Sequence, residues 1–215
     1  MRGTRVLPVF VVLTVAGVLS GCGGLFHSDA RPEQVYYLRA TPIPPGAAPV
    51  AASLRFNRPN TSPGLDLADI VTLQSDRRMS FFVASRWPAP TSNMIETLAV
   101  EKLRGSQLWQ SVADSTSAWP SDYVLQVTVR NFEADYTGGS VNPEVHVVLD
   151  CIVGKREGRE IIASFLAEGS VTAHENKMSA VVPAFETAAN TALDSMAAQT
   201  LEAVRGALAH KTAAN

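Results

Sequence analysis

The sequence predicts an α+β fold: a two-layer sandwich in which a mainly antiparallel sheet is packed by two helices, the C-terminal one long. Three observations predict it. β-forming runs precede a single amphipathic helix, three strands follow it in series, and an alanine-rich stripe of helical period closes the chain. No internal repeat and no second domain interrupt that order.

The chain starts with Arg2 and Arg5, then an apolar run from Val6 to Val18, then Leu19-Ser20-Gly21-Cys22. A basic start, an apolar core and a small-residue exit are the three parts of a secretory signal. The run is shorter than the roughly 20 residues a membrane-spanning helix needs, and Pro8 and Gly17 interrupt it. Leu19 to Cys22 resembles the bacterial lipobox, in which cleavage falls between Gly21 and Cys22. That resemblance implies S-diacylglycerol and N-acyl groups on Cys22, and hence membrane lipid as a partner. Gly23 follows the cysteine where an aspartate would favour inner-membrane retention, so the expected location is the inner leaflet of the outer membrane, with the domain in the periplasm. The expected organisation is a signal over 1–21, a lipidated tether over 22–34, one domain over 35–210 and a tail over 211–215.

The formal net charge is −2, and it becomes two units more negative when Arg2 and Arg5 leave with the signal. No basic stripe with interleaved aromatics is present, which argues against nucleic acid. The chain has two cysteines. With Cys22 acylated, Cys151 is left alone and reads as a small buried hydrophobe in a strand.

Within the domain, Val35-Tyr36-Tyr37-Leu38 reads as a first strand, and the prolines at 42, 44, 45 and 49 exclude a helix after it. Short strands follow at Ser53 to Phe56, Ile70 to Leu73 and Met79 to Val83, with a hairpin turn over Gln74 to Arg77. Asn93 to Arg104 is the first helix: Asn93 reads as its cap, Glu96 as the reciprocal partner and Gly105 as the residue past its end. Ile95, Leu98, Ala99 and Leu103 share its apolar face. Tyr123 to Arg130 alternates with period two. Val145 to Val153, apolar on both faces save His146 and Asp150, is expected to be central, and Lys155 to Arg159 turns the chain into Ile161 to Ala167. The last helix is expected from Pro183 to Ala209, with Phe185, Ala189, Ala192, Leu193, Met196, Leu201, Val204 and Leu208 facing the sheet.

Catalytic patterns fail on inspection. There is no G-x-S-x-G elbow and no S-x-x-K. Gly154-Lys155 lacks the upstream glycine of a phosphate loop, because position 149 is Leu. His174-Glu175 starts like a zinc-protease pattern, but Met178 stands where the second histidine belongs. The acid pairs Asp66/Asp69 and Glu133/Asp135 read as solvated carboxylates, and His146 as a satisfied strand residue. No catalytic residue, metal site or cofactor is expected.

Several stretches together resemble the ABC-type transport auxiliary lipoproteins, the PqiC-like partners of MCE-type lipid transport systems. Tyr36-Tyr37-Leu38 follows the tether. Asp69-Ile70-Val71-Thr72 is similar to the family's strand before a hairpin. Phe82 to Pro90 resembles its Arg-Trp-Ala-Glu-Pro segment, with Pro88 and Ala89 in place of Ala-Glu. Tyr123-Val124-Leu125 through Asn131-Phe132-Glu133 resembles its central strand, and the terminal helix fits its end. The resemblance implies a non-enzymatic accessory that docks a periplasmic MCE-domain protein of an ABC transporter at the outer membrane. Trp87 and Arg86 are the candidate partner contacts, although Trp87 also reads as a wedge at the strand-to-helix corner, the reading its setting favours. A homo-oligomer is compatible with this reading. The competing functions are a lipid- or small-molecule-binding envelope lipoprotein and, behind it, a tethered envelope hydrolase.

Overall fold

A computed structural model of the chain describes residues 32–43 and 48–213. The signal, Gly21 and Cys22 lie outside the described residues. The chain divides into two units, Met1–Pro32 and Glu33–Asn215, and the second carries the fold.

That unit is α+β, with one nine-stranded mixed sheet and two helices. Before the first helix come β1 (Gln34–Val35), β2 (Val50–Phe56), β3 (Asn60–Thr61), β4 (Asp69–Leu73) and β5 (Met79–Arg86). Helix α1 (Thr91–Gly105) leads to β6 (Trp109–Ala113), β7 (Tyr123–Asp135), β8 (Glu144–Lys155) and β9 (Glu160–Thr172), and α2 (Met178–Ala213) ends the chain.

The sheet is organised by β7. One of its edges pairs antiparallel with β8 along nearly its whole length, and β8 pairs in the same way with β9. Its other edge is shared in parallel by three short strands: Leu54–Phe56 of β2 beside Tyr123–Leu125, Asn60–Thr61 beside Thr128–Val129, and Thr72–Leu73 of β4 beside Ala134–Asp135. Antiparallel pairing thus carries most of the paired length, while the parallel contacts come from short strands in the N-terminal half. Parallel partners need crossovers, and the connections between β2, β3, β4 and β7 supply them. Strands β7, β8 and β9 thus form an antiparallel meander, and the sheet is mixed only on the other side of β7.

Alternation sorts the faces. Leu125, Val127, Val129, Val145, Val147, Leu149, Cys151 and Val153 point to the helices and are buried, while Gln126, Arg130, Asp150 and His146 lie on the opposite face. The expected stripe of α2 from Phe185 to Val204 is buried against this layer, with Leu208 half-buried at its end.

Several boundaries differ from the sequence reading. β1 stops at Val35, so Tyr36 to Leu38 is not strand. Helix α1 starts at Thr91 behind Pro90, and Asn93 lies inside it, where its Oδ1 accepts a 2.7 Å hydrogen bond from Arg58. Glu96 accepts from the backbone N–H of Ser115 instead of reaching back, and the C-cap is Ser106, not Gly105. Helix α2 starts five residues before Pro183, which sits inside it; only the one backbone bond that its missing N–H would donate is forfeited. The turn over Gln74 to Arg77 is present: Arg77 N–H donates to Gln74 O at 2.8 Å, and Arg77 has φ 65°.

Candidate functional site

The segment from Phe82 to Pro90 turns the sheet into α1. Asp69 pairs with Arg86, and Trp87 N–H donates to Ala68 O at 2.7 Å, which drives the indole inward. Trp87 is 0% exposed. Its ring meets Phe132 and Phe185 edge-on, with centroids 5.9 and 5.2 Å away, and Phe132 and Phe185 lie 5.2 Å from each other. This aromatic trio ties the corner, the central strand and the long helix together. Trp87 is thus the wedge and not an exposed anchor, because no surface of it is left for a partner. Arg86 differs: half-buried, it holds Glu33 at 3.3 Å, so it alone of the two candidate contacts reaches the surface.

Cys151 is a buried free thiol among the described residues. Burial pushes it up to about 12, and the neighbouring Asp150 charge acts in the same direction. A thiol so placed is neither a nucleophile nor a metal ligand at neutral pH.

The sequence reads His146 as a satisfied strand residue, and the register shows which groups surround it. β8–β9 pairing sets it opposite Ser170, and β7–β8 pairing sets it opposite Glu133. Ser170 Oγ lies 3.2 Å from His146 Nδ1, while His146 Nε2 lies 3.7 Å from Glu144 and 3.9 Å from Asp135. A hydroxyl, an imidazole and a carboxylate invite comparison with a nucleophilic triad. The geometry argues otherwise. Ser170 donates its proton to Glu144 Oε1 at 2.6 Å, and both carboxylates near Nε2 stand beyond hydrogen-bond range. The group also lies on the helix-free face of the sheet, with Ser170 exposed. Only the strand register could have revealed it.

The acid pairs are separately employed. Asp66 accepts from Ser92 N–H at the start of α1, and Asp135 accepts from Thr137 N–H. Glu133 accepts from Phe132 N–H and Asn131 Nδ2, each at 2.6 Å; burial nevertheless raises its carboxyl above the ordinary value. Glu175 pairs with Lys177, so His174-Glu175 presents no ligand pair. No group of three or more His, Cys, Asp or Glu able to hold a metal occurs among the described residues. An open depression of about 830 Å³, lined by Ser53, Ser121, Asp122, Lys155 and Arg156 among others, lies at the end of the sheet where β7 begins.

A family model described as the ABC-type transport auxiliary lipoprotein component matches residues 36–197. The chain belongs to this family. The match runs from the first residue after β1 to the middle of α2 and takes in the stretches from Tyr36 to Glu133 that carry the resemblance, with the first half of the terminal helix. Membership makes the chain an auxiliary lipoprotein component of ABC-type transport, a protein of the cell envelope. Among solved structures, a Xanthomonas campestris protein of the DUF330 family superposes with TM-score 0.72 at 24% identity, over 80% of this chain and 98% of that one. A second, described as an uncharacterized protein, gives TM-score 0.60 at 16% identity, over 80% and 99%. Both likenesses concern the fold. No curated protein matches the chain.

Proposed function

We propose that the chain is a non-enzymatic accessory of an MCE-type intermembrane lipid transport system, anchored by acylated Cys22 and docking the periplasmic assembly at the outer membrane. The observation that carries this reading is the family match over residues 36–197. Two features support it. Among the described residues no helix is long and apolar enough to cross a membrane, which is compatible with attachment through an acylated Cys22. The potentially reactive groups, Cys151, His146 and Ser170, are held in arrangements unsuited to chemistry.

The runner-up, a cargo pocket between sheet and helices, finds less support, because the Trp87, Phe132 and Phe185 rings fill that layer at one end. Co-purification from detergent-solubilised envelopes tests the proposal. The expected result is recovery of an MCE-domain protein or a transporter subunit with the acylated chain, and loss of that recovery with Cys22→Ser. Failure to recover either, together with measurable hydrolytic turnover, would overturn it in favour of an enzyme.

A further inference from the structure

Strand β5 is an edge strand over most of its length. β1 pairs with it only at Ser85 and Arg86, so Met79 to Ala84 has no strand on that side among the described residues. The same stretch carries an exposed apolar row: Met79, whose thioether lies beside Gly64, is 44% exposed, Phe81 43% and Val83 88%. Soluble edges are ordinarily blunted by charge, proline or a bulge; Met79 to Val83 holds no charge and no proline, and the register shift between Phe81 and Arg86 is the one irregularity along this edge. The β7–β8 turn lies at the same end of the sheet as the β4–β5 turn, because Tyr136 N–H donates to Leu73 O at 2.8 Å, and it presents exposed Val141. Arg77 stands at the tip of the β4–β5 turn in a left-handed conformation.

The direction of the chain says what faces this row. β1 runs parallel to β5, with Gln34 beside Ser85 and Val35 beside Arg86. The polypeptide therefore comes into the domain from the side of the β4–β5 turn. From Cys22 to Glu33 is twelve residues. Twelve residues can reach at most roughly 40 Å. Met79 to Arg86 covers about 25 Å of strand. A lipid anchor on Cys22 thus leaves its bilayer within reach of the row.

We infer that Met79, Phe81 and Val83, with Val141 at the same end, rest on the surface of the membrane that anchors the chain. This inference rests on the acylated-Cys22 reading. Contact is at headgroup depth: the apolar side chains enter the acyl boundary, while water still satisfies the open backbone of β5, which hydrocarbon could not do. The domain is then held in one orientation, with the opposite end of the sheet and the helices presented to the periplasm.

Site-directed spin labels on the acylated protein test it, in vesicles of phosphatidylethanolamine and phosphatidylglycerol. Labels at Val83→Cys and Val141→Cys are expected to favour oxygen over a water-soluble nickel chelate several-fold. A label at Trp119→Cys, before β7 at the other end of the sheet, is expected to favour the chelate. If the chain floats with the vesicles but positions 83 and 141 behave like 119, the inference is overturned and the anchor stands. If the labels at 83 broaden one another, a second copy covers the row, and the inference is again overturned. A chain that fails to float sinks the anchor reading and this one together.

Discussion

Gly169 of β9 lies directly under the backbone of Ala188 in α2: a Cβ built on Gly169 would fall 2.0 Å from the Ala188 carbonyl oxygen and 3.1 Å from the Ala192 nitrogen. These are backbone atoms and cannot swing aside, so the helix reaches this depth only because position 169 has no side chain. Ala188, Ala189 and Ala192 are the matching small residues on the helix. Gly169→Ala is expected to push α2 off the sheet and cost about 1–3 kcal/mol or more, read as a lower urea midpoint with an unchanged slope. Gly206→Ala is the control. Gly206 lies in the same helix with open space around it, so alanine there should be neutral or stabilise by up to about 1 kcal/mol.

Lys102 joins the two helices. Its side chain is fully buried, and its ammonium donates to Asp194 at 2.5 Å and to Thr41 at 3.2 Å. Asp194 is half exposed, so solvent screens the pair from one side. Asp194→Ala should still destabilise by about 1–3 kcal/mol, because it leaves a buried cation with one neutral partner. Lys102→Met added to that variant should recover most of the loss. A double-mutant cycle by chemical unfolding checks this; additive losses would show that the pair is not coupled.

The legible parts of this fold were those governed by one-dimensional periodicity. β7, β8 and the apolar stripe of α2 announce themselves through period two and period 3.6; β8, expected to be central, has a strand on either side but lies next to the edge strand β9, and β7 holds the central place. Asn60–Thr61 and Trp109–Ala113 went unread because neither alternates long enough; each is a strand only because β7 or β2 lies beside it. Pro183 misled the boundary of α2, since a single lost backbone bond is tolerated inside a helix packed as deeply as this one. His146 and Ser170, 24 residues apart, become neighbours through a register that composition does not specify. Lys102 lies outside the apolar set of Ile95, Leu98, Ala99 and Leu103, and only tertiary packing buries it.

At the strand-to-helix corner, Trp87 and Arg86 should separate cleanly. Trp87→Ala removes the ring between Phe132 and Phe185 and is expected to cost about 3–5 kcal/mol through the cavity left behind. Arg86→Ala disrupts a largely solvated pair with Glu33 and should change stability by less than about 1 kcal/mol. Thermal unfolding ranks the two. Recovery of a transporter subunit should fall with Trp87→Ala only as far as folding falls; a well-folded Trp87 variant that had lost its partner would contradict the buried placement.

Cys151 gives a prediction in pH. Its thiol ordinarily titrates near 9.0 and is raised to about 12 in the folded domain, first by burial and then by Asp150. In the native state the thiolate fraction at pH 8 is about one in ten thousand, so labelling by a polar maleimide should be slow until denaturant exposes the strand. Linkage follows from the same shift. Between the two values the folded state holds a proton that the unfolded state has lost, so this contribution to stability is fully present below pH 9 and declines as pH rises toward 12. Tyr123 and Tyr136, also raised by burial from an ordinary value of 10.0, act in the same direction only higher in that range. The interval from pH 9 to 10 therefore belongs mainly to Cys151. Urea unfolding across it should show falling stability in the natural chain and a flatter profile in Cys151→Ala, whatever that variant loses in absolute stability. Equal slopes in the two proteins, or rapid labelling of the native thiol at pH 8, would mean that the side chain is more accessible than its place between β7 and β9 implies.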